Sequence, residues 1–186
     1  MLRHPRRPLR WILFAALALA VGYAGVRFGR ALRDRSAPPV ADAPPFPFRP
    51  GDPFPDVALS DSVDAIVRSD SLLAGRGAVV LFLDPNCEGC TDMSIRWEHA
   101  LAEGTIDPTR VFGVSRAGTG VNRSYRAAHR LSFPIYRDVE DAFLARYRVT
   151  SYPLEVVVGR SGTIRSLSDD SVSPVDVESV RASMSE

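Results

Sequence analysis

The feature that most constrains this chain is a pair of cysteines that directly follows an apolar run, in the segment FLDPNCEGC. Cys87 and Cys90 are the only cysteines among its 186 residues. Residues 77–84, before the pair, are rich in Val, Leu and Phe, which is typical of a strand buried on both faces. Residues 88–103, after the first cysteine, have the apolar spacing of a helix. The sequence therefore predicts a strand, a turn and a helix, with Cys87 at the start of the helix.

Three kinds of site use such a Cys-x-x-Cys pair. A structural zinc ion takes four ligands, and His99 and His129 are isolated histidines that form no second paired motif. A structural disulfide across two intervening residues closes a very short loop and contributes little to stability. In a redox pair, the helix N-terminus stabilises a thiolate at Cys87, and Cys90, one turn later, resolves a mixed disulfide. The redox interpretation accounts best for the order strand, turn, helix.

Strand and helix patterns alternate from residue 56 onward. We predict strands at residues 56–61, 64–70, 77–84, 110–115 and 133–138, a hairpin at 154–167, and helices at 88–103, 121–132, 141–147 and 173–184. In the last helix, Ser173 is expected to be the cap and Pro174 the first residue. This alternation predicts a layered α/β sandwich.

The N-terminal part of the chain predicts attachment to a membrane. Residues 1–10 form a basic tail with four Arg, and residues 11–28 form an apolar segment near the ~18-residue lower limit for a membrane span. We interpret this segment as a transmembrane anchor, with a signal peptide as the alternative. Residues 29–55 are Pro-rich, which is typical of a semi-rigid linker, and residues 56–186 are the expected folded domain. The expected location is the bacterial cytoplasmic membrane, with the N-terminus inside and the domain in the periplasm or outside the cell.

The charge of the chain excludes one class of partner. It has 23 basic and 22 acidic residues, so its net charge is +1 and no field of one sign extends over it. Binding to nucleic acid therefore has no electrostatic support.

Residues 50–186 resemble the thioredoxin-like fold, in the TlpA/ResA-like branch of membrane-anchored redoxins. The resemblance rests on PGDPFPDVALSD, VVLFLDPNCEGC, VFGVS, FPIYRD and FLARYRVTSYPLEVVVGRSGTI, in unbroken order. It implies a three-layer sandwich, with a central mixed sheet flanked by helices, behind the transmembrane helix. It also implies that Pro153 is a cis-proline facing the cysteines, and that Tyr152 offers its backbone to an extended client.

The same resemblance implies a function and its partners. The expected reaction is extracytoplasmic thiol–disulfide exchange, with the redox-active pair Cys87 and Cys90 and no other cofactor. The expected partners are client proteins with thiols or disulfides, as in cytochrome c biogenesis, and a membrane electron donor.

The site departs from the common pattern of this branch in several positions. Asn86 stands where Trp commonly precedes the first cysteine, which brings the DPNC segment closer to the MauD-like type. Leu81 occupies the place of an acid that assists proton transfer in thioredoxins, and Asp84 either replaces that acid or only turns the chain. Glu88 places a negative charge beside the first cysteine, which disfavours the thiolate and so favours a reductant. Alternatively, Glu88 is a first-turn acid favoured by the helix dipole.

Two other functions stay open on sequence grounds. A thiol peroxidase shares the fold, but it needs a Pro-x-x-x-Thr-x-x-Cys segment, and FLDPNC lacks the Thr. A non-enzymatic, membrane-tethered assembly module, such as an apocytochrome or metal chaperone, would carry its thiols incidentally. Cys→Ser variants and a peroxide assay would separate these functions from thiol–disulfide exchange.

Overall fold

The computed structural model describes residues 48–104, 106–169 and 175–186, without the side chains of residues 144 and 145. Its strands are β1 (Ala58–Ser60), β2 (Ile66–Arg68), β3 (Ala78–Phe82), β4 (Val111–Ser115), β5 (Ile135–Asp138), β6 (Leu154–Val158) and β7 (Ile164–Ser168). Its α-helices are α1 (Ser69–Leu73), α2 (Glu88–Ala102), α3 (Thr119–Ala128) and α4 (Val177–Ser185). Short 3-10 turns at Pro108–Arg110 and Val139–Asp141 and a π-helical turn at Ala142–Arg146 connect them.

The strands form one mixed sheet in the order β2-β1-β5-β4-β3-β6-β7. β3 runs parallel to β4, and β4 runs parallel to β5, whereas the other pairs are antiparallel. Every residue of β3 is buried because the strand lies inside the sheet and is covered on both faces. The carboxyl ends of the three parallel strands meet at one end of the sheet, and the cysteines follow β3 there.

Helices cover both faces of the sheet. Val79 and Leu81 pack with α2 and α4 in one core cluster, whereas Val80 and Phe82 pack with α1 and Phe143 in the other. This separation follows from the alternation of side chains along a strand. The predicted three-layer α/β sandwich with a central mixed sheet is confirmed.

The folded domain includes residues 48–55, which the Pro-rich composition had led us to predict as part of the linker. Phe48 is only 4% exposed, and its ring centroid lies 6.1 Å from that of Phe54 and 5.8 Å from that of Phe82. Residues 48–55 therefore pack against the sheet, because the burial of two aromatic rings outweighs the extending effect of the neighbouring prolines.

A short helix replaces the end of a predicted strand. The strand expected at residues 64–70 ends at Arg68, and α1 begins at Ser69. The Ser69 hydroxyl donates to the Pro55 carbonyl at 2.8 Å, and Leu73 is buried against the second face of the sheet. These contacts join residues that are distant in the sequence, so the local residue pattern does not predict the helix.

The C-terminal helix begins later than predicted. Asp176 is its cap, since Asp176 Oδ1 accepts a 3.0 Å hydrogen bond from the backbone N–H of Ser179. The prediction of Ser173 as the cap is therefore wrong, and Ser173 and Pro174 lie outside the described residues.

The predicted membrane attachment also lies outside the described residues. This applies to the basic tail of residues 1–10, to the anchor of residues 11–28 and to most of the linker. Within the ranges that the structure describes, no helix combines the length and the apolar character needed to cross a bilayer.

Candidate active site

The turn that places the cysteines is built by Asp84. Its Oδ1 atom accepts hydrogen bonds from the backbone N–H of Asn86 at 2.8 Å and from the Asn86 side-chain amide at 3.2 Å. Its carbonyl accepts from the N–H of Cys87 at 3.0 Å. Short polar side chains commonly stabilise turns in this way. The turn ends with Cys87 in extended conformation at the N-cap of α2, as the sequence predicted.

The two cysteines form a disulfide, with their Cα atoms 5.2 Å apart. Cys87 Sγ accepts a 3.2 Å hydrogen bond from the N–H of Cys90, so this sulfur occupies the acceptor position at the start of the helix. Cys90 Sγ accepts a 3.4 Å hydrogen bond from the N–H of Asp84. Cys90 is 0% exposed, whereas Cys87 is half-buried. The two sulfurs therefore differ in accessibility, and Cys87 is the one that an external thiol can approach.

A hydroxyl network fixes the helix turn that carries Cys90. Ser94 Oγ donates to the carbonyl of Cys90 at 2.8 Å, and the hydroxyl of Tyr125 on α3 lies 3.2 Å from Ser94 Oγ. The same hydroxyl lies 3.3 Å from Thr91 Oγ1. Two helices are thus joined directly beneath the disulfide. This network was not predicted from the sequence, because no local pattern connects residues 91–94 with residue 125.

Tyr152 and Pro153 reach the same end of the sheet from another strand. Leu154, the first residue of β6, pairs with Phe82, the last residue of β3. The Tyr152–Pro153 peptide bond is cis, as the resemblance implied. Tyr152 and Cys87 both pack against the first core cluster. Burial raises the pKa of Tyr152 to about 12, so its hydroxyl stays protonated at neutral pH.

The charged side chains around the disulfide are mostly acidic. Glu88 and Asp92 are exposed on the first two turns of α2. Beyond the end of β4, Arg116 makes a 2.9 Å ion pair with Asp141. This hydrogen-bonded pairing lowers the pKa of the Asp141 carboxyl. Among the predicted site residues, the structure joins Cys87, Cys90 and Asp84 by direct contacts and places Glu88 beside them on the surface.

A second acid, Glu155, lies against α2 and was not predicted from the sequence. Glu155 on β6 accepts a 2.7 Å hydrogen bond from Trp97 Nε1, and its side chain is only 12% exposed. Trp97 is one of the apolar residues whose spacing predicts α2, and that pattern does not reveal a polar partner. The sequence contains one signal for this contact, because Glu155 is the single acid in the apolar run LEVVV. Charged side chains are seldom buried without a partner, so an acid in a buried strand indicates a specific polar contact.

The fold and this site together define a thiol–disulfide oxidoreductase of the redoxin class. The chain belongs to the AhpC/TSA family, whose family model matches residues 50–167. No curated protein sequence matches the chain significantly.

Several solved structures have the same fold. A proposed protein disulfide isomerase of Bacteroides thetaiotaomicron is 18% identical, with a TM-score of 0.63, and the alignment covers 74% of this chain and 91% of that one. A secreted Mycobacterium tuberculosis disulfide oxidoreductase homologous to E. coli DsbE is 21% identical, with a TM-score of 0.54 and coverage of 69% and 93%. The peroxidoxin BcpB of M. tuberculosis is 17% identical, with a TM-score of 0.60 and coverage of 74% and 96%. At these identities the similarity concerns the fold alone.

Proposed function

We propose that this protein is an extracytoplasmic thiol–disulfide exchanger that reduces disulfides of client proteins. The observation that carries the proposal is the asymmetry of the pair: Cys87 is accessible at the N-cap of α2, and Cys90 is fully buried behind it. A structural disulfide needs no such asymmetry, whereas exchange needs one sulfur to meet the client and a second, protected sulfur to resolve the complex.

The proposed reaction starts from the reduced pair. The Cys87 thiolate attacks one sulfur of a client disulfide, the client S–S bond breaks, and a client thiolate leaves. Cys90 then loses its proton and attacks Cys87 Sγ in the mixed disulfide, which releases the second client thiolate. Two electrons pass from the cysteine pair to the client. A membrane electron donor returns the pair to its reduced state, and no cofactor is needed beyond the disulfide itself.

The acidic surroundings support the direction of this reaction. Glu88 lies at the first residue of α2, immediately after Cys87, and Asp92 lies one turn later. Their negative charges disfavour a thiolate at Cys87, and a disfavoured thiolate makes the dithiol a stronger reductant. Asp84 holds the turn in this scheme, and the resemblance of its DPNC segment to the MauD-like type supports the assignment of the site to that type. Tyr152 and Pro153, which share the sheet end with the disulfide, are the proposed docking element for an extended client segment.

The proposed location rests on the apolar segment of residues 11–28. As a transmembrane anchor with the N-terminus inside, it would hold the domain in the periplasm or outside the cell, on a Pro-rich linker. A fusion of alkaline phosphatase after residue 50 should then be active in bacteria. An inactive fusion would contradict this location without affecting the proposed chemistry.

A turnover assay tests the proposed reaction. The reduced full-length protein should convert a peptide disulfide to the dithiol while its own pair becomes oxidised, one peptide for each chain. Cys87→Ser should abolish this conversion, and Cys90→Ser should stop at the mixed disulfide. A non-enzymatic assembly module would instead bind its client equally well after both substitutions, and no peptide would be reduced.

A thiol peroxidase is the second candidate. The AhpC/TSA family and the structural similarity to peroxidoxin BcpB favour it. The position of the peroxidase Thr, three residues before Cys87, is Asp84, and this carboxylate is bound to the turn rather than free to orient a peroxide. The reduced protein should therefore consume hydrogen peroxide no faster than its Cys87→Ser variant. Catalytic consumption would favour the peroxidase.

A further inference from the structure

Glu155 lies on the face of the sheet that α2 covers. It pairs directly with Leu81 in the antiparallel register of β3 and β6, and directly opposed residues point to the same face. Leu81 packs in the core cluster that also contains Cys90. An acid in this place is costly to bury unless it is compensated by hydrogen bonds and opposite charge.

Two residues of α2 provide this compensation. Trp97 Nε1 donates to Glu155 Oε2 at 2.7 Å, and Arg96 Nη2 lies 3.7 Å from the same oxygen. The Arg96 side chain is 14% exposed, so both charges are largely removed from water. A carboxylate and a guanidinium are thus paired inside the protein, on the helix that begins at the cysteines and on the strand that begins after Pro153.

We propose that Glu155 and Arg96 are opposing tuning charges that set the dithiol–disulfide equilibrium of Cys87 and Cys90. This inference rests on the proposed exchange function. Neither residue is proposed to touch the reacting sulfurs, because Arg96 lies nine residues after Cys87, or about 14 Å along the helix axis. Their influence is electrostatic.

The influence follows from the charge difference between the two redox states. The disulfide is neutral, whereas the dithiol is partly thiolate, so a nearby negative charge disfavours the dithiol and a positive charge favours it. A charge about 14 Å from a fully ionised Cys87, at an effective dielectric constant of ~20, changes the equilibrium by roughly sevenfold. As long as both are present, Glu155 and Arg96 largely cancel.

Apart from Asp138, which is buried at the end of β5 and accepts hydrogen bonds from the backbone N–H of Phe143, the other charges near the cysteines are at least partly exposed to solvent and are therefore screened more strongly. These are Glu88 and Asp92 on α2, and Arg116 after β4. Asp84 is partly exposed and is held in the turn. The removal of one charge from the buried pair is thus screened less than the removal of one of these surface charges.

The test is a set of equilibria between the full-length protein and glutathione. In each, the protein disulfide and two reduced glutathione molecules form the protein dithiol and one oxidised glutathione, and alkylation followed by mass spectrometry counts the thiols. At alkaline pH, where the Cys87 thiol is ionised, Glu155→Gln should shift the equilibrium roughly sevenfold toward the dithiol, and Arg96→Gln should shift it in the opposite direction. The double variant should return to within about threefold of the wild type.

A matched control and a fallback variant complete the design. Glu98→Gln removes the same charge from the same helix, at a carboxylate that accepts hydrogen bonds from Ser132 near the surface, and should shift the equilibrium less than about twofold. Arg96→Lys keeps the positive charge and should shift the equilibrium less than about twofold. If Glu155→Gln does not fold, the contrast between Arg96→Gln and Arg96→Lys decides the matter.

The outcomes separate this inference from the function on which it rests. Opposite shifts from the two single variants, with recovery in the double variant, support tuning by opposed charges. If the wild type exchanges with glutathione but both variants shift in the same direction, or no more than Glu98→Gln, the residues are only structural and the inference is overturned. If the wild-type disulfide does not exchange with glutathione at all, the proposed function itself fails, together with this inference.

Discussion

Phe82 and Leu154 pair directly across β3 and β6, and this pairing brings the two halves of the candidate site together. The chain that leaves Phe82 leads to the cysteines, and the chain that enters Leu154 comes from Tyr152 and Pro153. Sixty-odd residues of sequence separate these segments, yet one antiparallel register fixes both at the same end of the sheet. The disulfide and the Tyr152–Pro153 segment therefore lie at the same end of the sheet.

The two cysteines should behave differently when each is replaced. Cys90→Ser should accumulate mixed disulfides through the half-buried Cys87, whereas Cys87→Ser should not, because Cys90 is fully buried. Gel shifts of the variants with a peptide disulfide provide the measurement. In the reduced wild type, iodoacetamide should label Cys87 first, and preferential labelling of Cys90 would reverse the assignment.

Replacing Glu88 should make the protein a weaker reductant. Glu88→Gln removes a negative charge beside Cys87, so the thiolate becomes more favourable and the glutathione equilibrium shifts toward the dithiol by roughly twofold to threefold. Asp92→Asn is the matched control, since it removes an exposed acid one turn farther along the same helix. Equal shifts from both variants would show a general surface effect rather than a specific influence of Glu88.

Tyr152 should make stability fall at alkaline pH. Burial raises the pKa of its phenol to about 12 in the folded protein, above the value of about 10 for an unfolded chain. Between these values the unfolded state has lost the proton and the folded state has kept it, so the free energy of unfolding decreases as pH rises from about 10 to 12. Denaturant titrations should show a smaller decrease for Tyr152→Phe. Identical pH profiles would contradict the burial of this hydroxyl.

Phe48 should be essential for the stability of the domain. It is almost fully buried among aromatic rings, so Phe48→Ala should lower the free energy of unfolding by about 3 kcal/mol. The exposed neighbour Arg49 provides the control, and Arg49→Ala should change it by less than about 0.5 kcal/mol. Chemical denaturation of the three proteins is the measurement. If Phe48→Ala barely changed the free energy of unfolding, residues 48–55 would belong to the linker and not to the folded domain.

Much of the fold could be predicted from the sequence, because its strongest signals are local. The apolar run at residues 77–84 became β3, and the helical pattern at 88–103 became α2 within one residue at its end. The hairpin turn formed between Gly159 and Gly162, where the latter has the positive φ of 76° that favours glycine. In each of these cases the periodicity and the turn residues agree.

The features that were missed depend on contacts between distant residues. Trp97 and Glu155 are 58 residues apart, and no spacing rule connects them. The burial of Phe48 depends on rings such as Phe143, which a Pro-rich composition does not reveal. The position of the cysteines was predictable because they belong to a local Cys-x-x-Cys motif. The pairing of Glu155 with Arg96 could be recognised only from the structure, because it depends on the register of β3 and β6.

The most direct test of the central claim is a count of thiols in the native state. The oxidised full-length protein is incubated without denaturant with increasing amounts of reduced glutathione, quenched with acid, and alkylated after denaturation, and its mass is then measured by mass spectrometry. A redox-active pair predicts that the fully oxidised and the doubly labelled species interconvert in a single two-electron transition while the fold is retained. A disulfide that stays intact until the protein unfolds would show that Cys87 and Cys90 are a structural bridge, and would contradict the account.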